Sequence, residues 1–156
     1  MAKKSASPTT AKAPSGIPAS IQASKALKRR ELYAGSLPLA LMTRLAALLA
    51  DASGELQVEL EASRDAEGAG WLRGEIRGLL TLTCQRGLHP YDWDCELPVT
   101  LRLVTSETDE ERLLETCDPY LVRDDSLPLR ELVEDEVLLA LPMMPRCGNQ
   151  NCIKSL

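Results

Sequence analysis

Phenylalanine is missing from this 156-residue chain, and two Trp and three Tyr are its only aromatic side chains. Leu, Val and Ala must therefore fill the core, and the aromatic rows on which bases stack in many single-strand binders are excluded. A single histidine, His89, rules out a hydrolase centre in which several histidines hold the metal. There is no GxSxG elbow and no glycine-rich phosphate loop, and the glycines of "AEGAGWLRG" are wrongly spaced for one. No run approaches the ~20 apolar residues that cross a bilayer, so no membrane partner is expected. Lys3 and Lys4 are followed by no apolar stretch of signal-peptide length. With five cysteines, an odd number, the expected setting is cytoplasmic and reducing, with free thiols or a metal rather than disulfides.

Hydrophobic residues make up 44% of the chain, enough for one compact domain. Charge is divided unevenly. Residues 1–30 carry seven basic side chains and no acid, while the rest of the chain balances at −12. A basic arm on an acidic body suits a polyanion for the arm and a basic protein for the body; a solubilising tail is the plainer alternative. "MAKKSASPTTAKAPSGIPAS" has almost nothing to bury, which predicts a disordered arm over residues 1–20 and a single domain over 21–156.

Periodicity predicts short helical structure around Ala23–Arg30, a helix from Leu39 to Leu49 and a stronger one over Leu129–Leu141. Three stretches alternate as strands: Glu55–Ser63, Trp71–Gln85 and Asp92–Val104, with Gly74 and Gly78 read as bulges or bends. The short connections favour meander-like antiparallel pairing. The expected fold is α+β, an antiparallel sheet with packed helices.

Five basic side chains are candidates for RNA contact: Lys25, Lys28, Arg29 and Arg30, dense enough to meet several phosphates, and Arg86 in the hairpin turn. Centring that hairpin on His89-Pro90 sets Cys84 opposite Cys95 on the apolar face, where both would fill the core. The metal reading instead joins Cys84 to Cys147 and Cys152 of "CGNQNC", with Cys95 or His89 as a fourth ligand; a lone His beside Pro otherwise reads as a surface residue. On the Leu129–Leu141 helix, Glu131, Glu134 and Asp135 fall on the polar face. Glu136 turns toward the core and calls for an Arg partner, Arg77 or Arg86. These carboxylates do not converge on one site, which argues against metal-dependent phosphoryl chemistry and for a chain that is not an enzyme.

"GLLTLTCQRG", "ELPVTLRLV" and above all "LRELVEDEVLLALPMMPRC" resemble the YceD family, the large ribosomal RNA subunit accumulation proteins; "ELYAGSLPLALMTRLAALL" fits the family's opening. The family's turn reads CxRC. Here Cys84 and Arg86 match it and Gly87 stands in place of the second Cys, while Cys147 and Cys152 correspond to a further Cys pair. The resemblance implies a knuckle that has lost one ligand, and no required cofactor, with zinc as the alternative. It also implies a ribosome-biogenesis role on 23S ribosomal RNA or its precursor, with large-subunit ribosomal proteins as further partners. A protein-interaction module without RNA contact is the alternative function.

Overall fold

The computed structural model describes residues 17–148 and Cys152. The arm expected over residues 1–20 lies outside them up to residue 16. Ile17 is buried in the core, and its carbonyl accepts a hydrogen bond from Arg130 Nε at 3.0 Å.

The elements run β1 (Ile21–Gln22), α1 (Ala23–Arg29), β2 (Leu32–Pro38), a 3₁₀ turn (Leu39–Leu41), α2 (Thr43–Ala46), β3 (Glu55–Arg64), β4 (Gly70–Thr83), β5 (Pro90–Val104), α3 (Glu107–Leu113), β6 (Pro119–Leu121), β7 (Ser126–Leu127) and α4 (Leu129–Ala140). The main sheet has the order β2-β3-β4-β5-β6, and β1 pairs with β7 in a separate ribbon. The α+β expectation holds. The first four strands form the antiparallel meander, and only β6 runs parallel to its neighbour, after the α3 crossover.

Alternation decides which face of the sheet is covered. Leu56, Val58 and Leu60 of β3, Leu72, Ile76, Leu80 and Leu82 of β4, and Cys95, Val99 and Leu101 of β5 are buried. Leu129, Leu132, Val133 and Val137 of α4 join them in one core. The opposite face is polar and mostly acidic: Glu55, Glu59 and Glu61 on β3, Arg73, Glu75 and Arg77 on β4, and Asp92, Asp94 and Glu96 on β5, all exposed.

Four expectations change. The helix predicted over Leu39–Leu49 is a 3₁₀ turn followed by one α-helical turn, with Leu45 buried but Leu41 and Leu48 exposed. Residues 32–38, not assigned from the sequence, are an edge strand paired with β3. Gly74 and Gly78 are not bulges, because the pairing register runs through both without a break. A Cβ at Gly74 would fall 1.8 Å from the Glu59 carbonyl oxygen, so glycine is there to let two backbones approach. Finally, the β4–β5 register sets Gly78, not Cys84, opposite Cys95. The turn is centred between Arg86 and Gly87, three residues earlier than His89-Pro90, which sends the two cysteines to different places.

Candidate metal centre

Cys95 is buried and belongs to the core, as core filling predicts. Cys84, just past the end of β4, does something else. Its Sγ lies 3.7 Å from that of Cys152, which reaches back from the segment after α4. His89, just before β5, presents Nε2 at 2.8 Å from Cys152 Sγ and 3.7 Å from Cys147 Sγ. The four ligand atoms of Cys84, His89, Cys147 and Cys152 all lie within 4.8 Å of one another. Around a tetrahedral ion with metal–sulfur bonds of ~2.3 Å and a metal–nitrogen bond of ~2.0 Å, donor atoms sit roughly 3.5–3.8 Å apart. Two separations, each 3.7 Å, match that spacing, and the 2.8 Å between His89 Nε2 and Cys152 Sγ is closer than it. His89, not Cys95, completes the ligands named from the sequence.

The surroundings orient these donors. His89 Nδ1 lies 3.2 Å from the Pro90 carbonyl. A proton held on Nδ1 leaves the Nε2 lone pair facing the sulfurs, the arrangement usual for metal-ligating histidines. Backbone N–H groups of Cys147 and Gly87, and less so Arg86, hold the Cys84 thiol down to about 6 against the opposing effect of burial. Cys152 is pushed up to about 11, first by burial and then by the neighbouring Cys147 and Cys84 sulfurs. Sulfurs crowded together in a low-dielectric pocket favour a cation among them. The Gln85 N–H donates to the Pro145 carbonyl at 2.8 Å, pinning the tail to the hairpin tip beside the cluster.

The basic candidates separate. Lys25, Lys28, Arg29 and Arg30 are all exposed along α1 and its C-cap. Arg30 adopts φ 52°, the left-handed region where glycine is the favoured cap. Arg86 is half-buried in the hairpin turn. Leu27 of α1 packs over Gly70 at the start of β4, so the 14-residue strand, ~45 Å along its path, separates Arg86 from the α1 cations.

The buried carboxylate is Glu134, not Glu136. Glu134 accepts from Arg44 at 3.1 Å and from the Leu45 N–H at 2.9 Å, and Asp135 accepts from the same Arg44 at 2.7 Å. Glu136 is half-buried, and neither Arg77 nor Arg86 forms an ion pair with it: Arg77 lies beside Glu75 instead. Burial, then Asp118 and Asp135, raise the Glu136 carboxyl above its ordinary value. Helical spacing placed Glu134 on the polar face, but Arg44 and the Leu45 N–H of α2 draw it inward and satisfy it there.

The model of one protein family, the large ribosomal RNA subunit accumulation protein YceD, matches residues 72–156. That span includes β4 from Leu72 onward, β5, α4 and all four candidate ligands. The large ribosomal RNA subunit accumulation protein YceD of Haemophilus influenzae is 27% identical over 137 residues, 87% of this chain and 79% of that protein. No solved structure matches the chain. No helix among the described residues is long and apolar enough to cross a membrane. The family match covers more than half of the sequence, and the chain belongs to the YceD family.

Proposed function

We propose that this protein is a non-enzymatic factor that promotes accumulation of large-subunit ribosomal RNA by binding 23S RNA or its precursor in the cytoplasm. The observation that carries this reading is the exposed run Lys25, Lys28, Arg29 and Arg30 on one short helix, joined to membership of a family named for ribosomal RNA accumulation. Arg30 supports it further, since an arginine at a left-handed cap trades backbone ease for charge. Phosphate contacts from these side chains give affinity without reading sequence. The absence of catalysis is supported by the α4 acids. Glu134 and Asp135 are tied to Arg44, and Glu136 stands apart from them.

The same reading places zinc in the four-donor cluster, as a structural ion with all positions filled by protein. It would be held by Cys84, His89, Cys147 and Cys152, and would fasten the segment after α4 to the β4–β5 turn. The acidic outer face of the sheet favours a second contact, with a basic large-subunit ribosomal protein.

The test is binding of unstructured 23S fragments to the full chain across salt concentrations. Four phosphate contacts on a single strand give a log–log slope of about −3. Changing Lys25, Lys28, Arg29 and Arg30 together to Gln should flatten that slope and weaken binding. Affinity and slope left intact by the quadruple change would remove α1 as the RNA contact. Elemental analysis of the purified protein checks the metal, with one zinc per chain expected.

A further inference from the structure

A second cationic feature lies beside α1. Ala23, Ser24 and Leu27 line a cleft of about 270 Å³ together with Arg64, Leu103 and Arg102. The cleft is below the ~300–1,000 Å³ of drug-sized sites but holds several times the ~30 Å³ of one water. It therefore suits a small, hydrated, charged group.

Arg102 is built into place. It sits directly opposite Trp71 in the β4–β5 register, with its guanidinium carbon 5.7 Å from the indole centre. Trp71 is braced in turn: its Nε1 donates to Asp65 at 2.9 Å, and Arg73 covers the ring at 4.5 Å. Yet the buried Nε of Arg102 meets no hydrogen-bond acceptor among the described residues. A buried donor left without an acceptor is costly, more so when it belongs to a charged group.

Asp65 and Asp109 both feel the Arg102 charge, yet neither accepts a hydrogen bond from its Nε. Asp109 accepts from Arg112 at 3.0 Å, and Asp125 accepts from the Ser24 N–H and hydroxyl at 2.9 and 2.6 Å. Asp65 accepts from Trp71 and from two backbone N–H groups. Arg64 donates Nη1 to the Gly68 carbonyl at 3.0 Å and stays exposed at the mouth. On α1, Lys28 follows Ser24 by one helical turn and so shares the side that walls the cleft.

We infer that this cleft seats one phosphate of the bound RNA strand, gripped by Arg102 from within and Arg64 from the rim, with the backbone running on past Lys28. The inference rests on the RNA-binding reading above. A guanidinium with an unpartnered Nε–H offers the charge-assisted bond that a phosphate oxygen accepts once the side chain turns to the cleft.

The test uses the full-length, metal-loaded chain, an unstructured RNA oligonucleotide and inorganic phosphate as probes. Arg102→Gln and Arg64→Gln should each weaken RNA binding roughly tenfold near 0.1 M salt, and each should reduce the salt slope by about 0.7. Arg64 is exposed and absent from the core, so its variant keeps the test valid if Arg102→Gln folds poorly. The Arg102 Nε–H resonance should shift on RNA addition, which a purely structural arginine would not show. If the quadruple α1 change weakens binding while both cleft variants bind as the parent does, the cleft assignment is overturned and the RNA reading stands. If none of these changes alters affinity or slope, both fail. Inorganic phosphate that moves the Arg102 resonance while RNA does not would reassign the cleft to a free anion and overturn the inference.

Discussion

The Cβ that Gly87 lacks would fall 2.1 Å from Cys152 Sγ and 2.6 Å from the His89 ring. The glycine at the place of the family's second cysteine is thus no simple loss. It opens the room that His89 and Cys152 occupy. Gly87→Ala should displace Cys152 and lower zinc affinity at least tenfold in competition with a chromophoric chelator. His89→Ala should do the same by removing a donor. Gly87→Cys should not rescue, because its Cβ meets the same sulfur.

The metal-free protein should carry the signature of Cys84. Its thiol sits at about 6 in the folded chain against an ordinary 9.0, so folding favours the thiolate. The stabilisation is full above pH 9, fades as pH falls toward 6 and is gone below that. Denaturant midpoints of chelator-treated protein should rise from pH 6 to 9, and Cys84→Ala should remove that rise.

Glu134 joins α4 to α2 by capping Leu45 and pairing with Arg44. Glu134→Ala should cost about 2 kcal/mol in urea unfolding, the scale of a lost hydrogen bond to a charged group.

Glu136 predicts the opposite sign. Its carboxyl is raised by burial, then by Asp118 and Asp135, so the folded state prefers it protonated. That preference is a benefit at acid pH and is lost as pH rises through the folded value. Glu136→Gln should raise Tm at pH 7 and change it little at pH 3, and an unchanged or lower Tm at pH 7 would contradict this.

Arg30 separates stability from binding. Arg30→Gly should stabilise the fold by up to about 1 kcal/mol, by relieving the left-handed strain at φ 52°. The same change should weaken RNA binding and reduce the salt slope by about 0.7. Calorimetry and salt titration on one variant decide both.

The three long strands and α4 were legible because each carries a clear period: Glu55–Ser63 alternates cleanly, and Leu129, Leu132, Val133 and Val137 share one helical stripe. The segment from Leu39 to Leu49 showed a helical stripe too, but Met42 turns into the core with a non-helical backbone, φ −102° and ψ 83°, which divides the stripe into a 3₁₀ turn and one α-helical turn. The β4–β5 turn was misplaced by three residues, since a symmetry argument on two cysteines cannot weigh a six-residue connection against a tighter one. Cys84, Cys147 and Cys152 were named as ligands from type and spacing alone. His89 was named beside Cys95 as a fourth candidate, and the folded turn gathers His89 rather than Cys95 with the three cysteines; the Arg102 cleft has no local signal at all, because Ser24, Arg64 and Arg102 come from three distant segments.

The four candidate metal donors come from two places, the β4–β5 tip and the chain after α4, while the core is closed by other residues. Such an arrangement sets two tiers of opening. If zinc fills the cluster, withdrawing it should release the segment around Pro145–Cys147 from the tip, with fast amide exchange and early protease cutting there, while β3, β4 and β5 stay closed to solvent. The ion would then govern when the tail detaches, long before it governs whether the sheet melts.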